Sequence, residues 1–258
     1  MKTFFALTIV QLFVQYSYGF IPPLEMLLKK NVSLSGSKII SVEQDLFFKE
    51  GSSEATIHES WIIEGDKNLK LMATATGDLK DFFKIVAVYN GKYRSVLIGK
   101  NKSTDFYGKD FFEKYLSIRS ADSFKNYLKD LQIAPSVRLS RANGTISYAI
   151  GEPSAEILKP QIWIKQDSFE LQKIRLPSEA EITLEDQTNF SPLLSYPKTK
   201  KIEWAGKTVL IKVRSITDKT KFKLSDFYPQ NLDQPTEVHL VNKTPLSQTI
   251  EEFYKRFR

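Results

Sequence analysis

The sequence predicts a mainly β, α+β fold in which one strongly curved antiparallel sheet carries helices on its concave side. Three observations lead there. Between Pro160 and Phe227, apolar and polar residues alternate in short runs divided by turn residues, the period of two of strands with one drier face. Asn-Gly, the strongest short hairpin signal, occurs at Asn90-Gly91 and Asn143-Gly144. Helical spacing is confined to a few short stretches, and neither an internal repeat nor a shift in composition divides the chain. The simplest arrangement holds about eleven or twelve strands, two central helices and a helix at each end.

Residues 1–19 read as a secretory signal peptide. Lys2 supplies the positive start, Phe4 to Val14 the apolar run, and Ser17-Tyr18-Gly19 a small-x-small cleavage site. That run is too short to span a membrane. Residues 20–258 are expected to form a single domain ending in a helical tail at about 244–258. Pro22-Pro23 opens a short helix over 24–30, with Leu24, Leu27 and Leu28 on one face. Strands follow at 40–48, 55–63 and 69–75. A break at 77–81 precedes the hairpin strands 83–89 and 93–98. Residues 99–109 are polar and read as a loop.

Residues 110–118 and 122–133 read as helices, with Ser120 as cap of the second. The stripe Phe124, Tyr127, Leu128 and Leu131 either packs on the sheet or forms a lid over a cavity. Beyond Pro135, strands at 137–139 and 146–150 flank the second Asn-Gly. Strands at 160–164, 169–174, 180–184, 201–204 and 208–216 complete the sheet; in the last, Val209, Ile211 and Val213 alternate with Leu210, Lys212 and Arg214. Thr244 caps the tail helix and Pro245 takes its first position, leaving Ile250, Phe253, Tyr254 and Phe257 on one side.

Of 258 residues, 41% are apolar and 12% aromatic, enough for a substantial core. The formal charge is +7, and losing Lys2 with the leader leaves +6. The basic residues are scattered, without the stripe interleaved with stacking aromatics that a nucleic-acid partner would need. Weak peripheral contact with an anionic membrane surface is compatible with the charge. With no cysteine, disulfides and a cysteine-linked lipid anchor are both ruled out. A cysteine-free exported protein points to a bacterial periplasm, with secretion as the alternative. Four Asn-x-Ser/Thr sequons, at Asn31, Asn101, Asn143 and Asn242, are of a kind that arises readily by chance.

Catalytic motifs are missing. The chain has no nucleophile elbow, no His-Glu-x-x-His, no phosphate loop and no Gly-x-Gly-x-x-Gly. The two histidines are His58, on the polar face of its strand, and His239. The carboxylates Glu251-Glu252 and Glu54 with Glu59 occupy exposed-looking positions. No catalytic residue, metal ligand or cofactor is assigned, and the chain is expected not to be an enzyme; a carboxylate-dependent hydrolase is the weaker alternative, since such pairs form in space rather than in sequence. What remains is an excess of apolar residues on strands. One sheet face must be covered by helices, by a ligand, or by both. The candidates to line it are Val42, Leu46, Phe48, Ile57, Trp61, Ile63, Leu71, Val86, Val88, Ile162, Ile164, Leu171 and Ile211, with the parity open because a bulge would flip it.

The chain resembles the LolA/LolB-like superfamily, the outer-membrane lipoprotein carrier and sorting proteins. The resemblance is carried by the exported N-terminus and by the helix at 24–30 before an alternating strand. It is carried also by Pro160-Gln161-Ile162-Trp163-Ile164 and by the late block Tyr196-Pro197, Ile202-Glu203-Trp204-Ala205-Gly206, Val209 to Val213, Ile216 and Phe227. It covers most of residues 20–230. It implies a half-barrel of about eleven strands closed by helices, an apolar cavity for acyl chains, and a role as carrier or receptor for lipoproteins or lipid, with residues 110–133 as lid. The strand arginine that latches the family's lid has no assignable position here, and the tail from Tyr228 has no family counterpart. A regulatory module of the same fold, binding an envelope protein partner through its sheet edges and basic tail, is the alternative function.

Overall fold

The computed structural model describes residues 21–36, 39–108, 110–153, 158–218, 222–238 and 244–258. The proposed signal peptide, His239 and the sequon at Asn242 lie outside them. The described residues form one large, curved, open antiparallel sheet with four helices. Helix α1 is Leu24–Val32. Strands β1 (Ile39–Glu50), β2 (Ser53–Glu64), β3 (Asn68–Ala75), β4 (Phe83–Asn90), β5 (Tyr93–Ile98) and β6 (Asn101–Phe106) follow as consecutive hairpins. Helices α2 (Glu113–Leu116) and α3 (Ala121–Asp130) then cross to the second series: β7 (Val137–Ala142), β8 (Thr145–Ile150), β9 (Gln161–Lys165), β10 (Leu171–Arg175), β11 (Glu181–Ser191), β12 (Leu194–Trp204) and β13 (Lys207–Asp218). A short β14 (Glu237–Val238) pairs with β4, and α4 (Pro245–Phe257) ends the chain.

The spatial order is β6-β5-β4-β3-β2-β1-β13-β12-β11-β10-β9-β8-β7. Along that path only the β1–β13 seam joins strands distant in sequence. There β13 carries an extra residue, Arg214, between Val213 opposite Gln44 and Ser215 opposite Glu43. Such a bulge sharpens local twist and helps the sheet curl. The hairpin turns follow the sequence signals: Asn143 and Gly144, at φ 49° and 77°, both take the left-handed conformation that a two-residue hairpin turn requires.

Several expectations are corrected. Among the described residues the sheet has fourteen strands, where about eleven or twelve were expected. The polar stretch read as a loop forms β6, an edge strand exposed on both faces, so it has no hydrophobic alternation to betray it. β11 and β12 run on through residues 185–200 as a ribbon, well past the expected strands. α2 is a single turn. α3 stops at Asp130, short of 133, in a Schellman ending: Gln132 adopts φ 57°, Ile133 N donates to Leu128 O at 2.8 Å, and Gln132 N to Lys129 O at 3.0 Å. Gln stands at the position usually held by glycine, so no local signal marks this ending.

Both expected caps form. Ser120 Oγ accepts from Ser123 N and Thr244 Oγ1 from Ser247 N, each at 3.1 Å. The main core lies on the concave side, where α1, α2, α3 and α4 pack onto the sheet.

Candidate functional site

Eleven of the strand residues singled out from the sequence share this one buried core: Val42, Leu46, Phe48, Ile57, Trp61, Ile63, Leu71, Ile162, Ile164, Leu171 and Ile211. Phe124, Tyr127, Leu128 and Leu131 of α3 join them. Val86 and Val88 do not. They pack with Leu232 on the opposite face, while Ile85, Ala87 and Tyr89 point inward. Residues 85–89 are apolar without interruption, so alternation could not settle which parity is inside. Thr236 fixes the outer side by exchanging hydrogen bonds with the Val86 backbone.

Helices, rather than an open trough, fill much of the concavity. α4 inserts Ile250, Phe253, Tyr254 and Phe257. Phe253 meets Phe48 edge-on at 5.3 Å, Phe257 meets Trp204 at 5.1 Å, and Tyr254 lies 4.9 Å from Phe83. Outside the core, Glu252 accepts from Trp204 Nε1 at 2.7 Å and pairs with Lys207 at 2.5 Å, and Arg256 pairs with Asp110. Burying aromatic side chains of this size gives about 1.5–3 kcal/mol each, so the helix is a structural part of the sheet's inner layer.

Beneath α4 sits a knot of buried charge. Arg258 Nε donates to Glu59 at 2.8 Å and its Nη2 lies 3.1 Å from the other Glu59 oxygen and 3.5 Å from Glu113. Lys200 Nζ pairs with Glu113 at 2.9 Å. Gln44 Nε2 and Trp61 Nε1 donate to Glu59 at 2.6 and 2.9 Å. The Arg258 guanidinium also stands 4.9 to 5.5 Å from the rings of Phe253, Phe112 and Trp61. Burial alone would raise the Glu59 pKa, but Arg258, Trp61 and Gln44 outweigh it and hold the carboxyl below its ordinary range. Burial pushes the Lys200 ammonium down, with Glu113 opposing.

Glu59 therefore corrects the surface position assigned to it: it is fully buried. Glu59 and Glu113 are two neighbouring buried acids, but each is neutralised by a paired cation, and neither lines the cleft beside α2 and α3 or the pocket under α1.

Open space lies elsewhere. A cleft of about 390 Å³ opens between α2, α3 and the β4–β6 edge. Its walls are Phe106, Tyr107, Phe111, Tyr127, Leu131 and Pro177, with Lys92, Lys114, Asp130 and Gln132 among them. Phe111 belongs to both cleft and core. It stacks on Tyr89 at 4.6 Å and on Trp61 at 6.0 Å, so the cleft floor continues into the sheet's concave face. Phe106 is 71% exposed and stacks on Tyr93 at 4.9 Å, forming an outer lip. Across the rim, Lys92 pairs with Asp130 at 3.5 Å. Lys114 Nζ donates to Tyr107 Oη at 2.6 Å, and burial lowers its pKa. A second, smaller pocket under α1 is lined by Tyr115, Leu171 and Leu194.

His58 lies on the convex face, where Nε2 is 2.8 Å from Glu43 and Nδ1 3.1 Å from Asp45. Asn31 is buried, donating to Phe169 O at 2.8 Å and accepting from Tyr115, which leaves its sequon no room for a glycan.

Sequence reasoning missed Gln44, Glu59, Glu113, Lys200 and Arg258. One signal was available: Gln44 interrupts Val42, Leu46 and Phe48, Glu59 interrupts Ile57, Trp61 and Ile63, and the two are directly paired across β1 and β2. Polar residues at matched positions of two apolar registers indicate a buried polar contact. The cleft's Tyr107, Phe111 and Lys114 fell in stretches read as loop and simple helix and carried no comparable signal.

No protein-family model matches the sequence, and no curated protein matches it. Solved structures do. A LolA superfamily protein from Nitrosomonas europaea superposes with a TM-score of 0.59 at 12% identity, over 81% of this chain and 98% of that one. A domain from Vibrio parahaemolyticus, described as a candidate outer membrane lipoprotein-sorting protein, gives 0.58 at 10% identity over 82% and 98%. A DUF1329 family protein from Desulfovibrio piger gives 0.54 at 11% identity over 81% and 98%. The chain has a LolA-like fold.

Proposed function

We propose that this LolA-like half-barrel is a non-enzymatic binding protein of the bacterial periplasm that takes up an acyl chain, of a lipoprotein or a lipid, as carrier or receptor. The observation that supports it best is the aromatic cleft whose floor, Phe111, is stacked onto the concave face at Tyr89. A chain entering beside Phe106 and Leu131 meets apolar wall on several sides, and each buried methylene contributes about 0.8 kcal/mol. α2 and α3 form the cover on that side, the lid role assigned to residues 110–133. Longer cargo would have to displace part of the helical layer.

Native mass spectrometry of the protein purified from its own envelope, followed by organic extraction, tests this. Bound mass that extracts as lipid or acylated peptide is the expected result. A ligand-free mass across preparations, with no thermal stabilisation by any acylated compound, would sink the proposal.

The partner-binding reading has one observation of its own. β6 is an edge strand with no neighbour on its outer side among the described residues, and it ends in the exposed Phe106. Against it, the tail helix α4 is committed to the core rather than free to recruit a partner. Co-purification of a stoichiometric protein in the absence of lipid would favour this second reading.

A further inference from the structure

Lys114 has no carboxylate partner among the described residues. Its Nζ rests on Tyr107 Oη at 2.6 Å and reaches Gly91 O at 3.4 Å, and it stands 5.0 Å from the centre of the Tyr107 ring. Of the charged groups lining the cleft with it, Asp130 is engaged by Lys92 at 3.5 Å. A half-buried ammonium with only neutral oxygens as acceptors is an incomplete arrangement, because removing a charge from water is costly unless an opposite charge meets it. The wall beside it is apolar: Phe106, Phe111, Leu131 and Pro177. At about 390 Å³ the cleft falls within the roughly 300–1,000 Å³ typical of small-molecule sites.

We infer that the cleft is a binding site for a single-chain amphiphile ending in a free carboxylate, a fatty acid, with the carboxylate on Lys114 Nζ and the chain along Phe106, Phe111 and Leu131. The charge count selects the head group. Lys92 and Asp130 pair with each other across the rim, and Lys114 is the remaining cation of the lining, with Asp66 the further negative charge that acts on it; that balance suits one negative charge better than a phosphate dianion. It also separates this ligand from the ester- and amide-linked chains of a lipoprotein, which bring no carboxylate to the cleft. The inference rests on the acyl-chain reading above and narrows it.

The test compares dodecanoate with 1-dodecanol, both below the concentration at which dodecanoate forms micelles, by calorimetric titration of the delipidated full chain, and repeats it with Lys114→Gln and Lys114→Arg. The expected result is dodecanoate binding ~10-fold or more tighter than the alcohol, as a charge-assisted hydrogen bond implies. Lys114→Gln should abolish that preference, and Lys114→Arg should keep it. Equal affinity for acid and alcohol in the unmodified protein would overturn the carboxylate site and leave the acyl reading standing. Failure of both to bind would overturn the two together. The acid–alcohol comparison needs no variant, so it decides even if a substituted chain does not fold.

Discussion

Two adjoining parts of the concave face, joined at Trp61, are filled in opposite ways. Between the end of α4 and the first residue of α2 the sheet meets four buried charged side chains, Glu59, Glu113, Lys200 and Arg258, all of them paired and shut off from solvent. Beside the cleft, between α2 and α3, it meets stacked aromatic rings, open volume and a lysine whose hydrogen-bond partners among the described residues are neutral. In the first region polar groups complete one another within the chain. In the second the chain leaves both space and charge uncompleted. Buried charge in the first region therefore reads as architecture that holds α4 in place, and unfilled apolar space in the second as room for a ligand.

The largest effect should come from breaking the sealed cluster. Arg258→Ala leaves Glu59 as a buried carboxylate without its main counter-ion, which costs about 3–5 kcal/mol in comparable buried pairs. A urea unfolding midpoint little different from the parent would show the knot to be dispensable. An alanine substitution at Lys114 has no counterpart of this size, since among the described residues Lys114 has no buried ion-pair partner to strand.

The acid dependence of stability sharpens the contrast. Glu59 is held below the ordinary carboxyl value of 4.5 in the folded chain, so its contribution is present above that value and is lost as pH falls through the lowered folded-state pKa. Without Arg258 the dominant influence left on Glu59 is burial, which raises its pKa; protonation then relieves the folded state. The stability gap between parent and Arg258→Ala should narrow as the medium is acidified below about pH 5. Urea midpoints measured for both proteins across that window test this, and a gap that stays constant would mean that Glu59 does not titrate differently in the two chains.

A smaller effect is expected at the entrance to α4. Thr244→Ala removes the side chain that accepts from Ser247 N, at about 1 kcal/mol. If α4 protects the knot, backbone amides of residues 250–257 should exchange with solvent faster in this variant, while those of α3, capped separately by Ser120, should not. Equal acceleration in both helices would instead point to global destabilisation.

Much of this contrast was hidden from the sequence for physical reasons. Hairpins at Asn-Gly, the caps Ser120 and Thr244 and the apolar side of α4 are local, and local chemistry announced them. The face of β4 was not legible, because residues 85–89 give no alternation. Nor was the strand nature of β6, because an exposed edge needs no buried side. The knot depends on residues as distant as Glu59 and Arg258, and only the polar interruptions at Gln44 and Glu59 marked its place. The cleft is a shape, made where α2 fails to extend beyond one turn and α3 stops at the left-handed Gln132; neither ending has a glycine or proline at the break.

The smallest expected change in stability belongs to the lip of the cleft, where it separates folding from binding most cleanly. Phe106 is largely exposed, and its contacts are the ring of Tyr93 and the cleft itself. Phe106→Ala should shift stability by no more than about 0.5 kcal/mol, as surface substitutions generally do. It nevertheless removes one wall from the path of an acyl chain. Dodecanoate and dodecanol should both bind roughly fivefold more weakly, the equivalent of about 1 kcal/mol of lost apolar contact. Because the substitution leaves Lys114 untouched, the ratio of the two affinities should not move. Loss at Lys114 should alter that ratio and loss at Phe106 should not. If Phe106→Ala leaves both affinities unchanged, the chain runs elsewhere, and the exposed ring belongs to the edge of β6 as a surface for another protein.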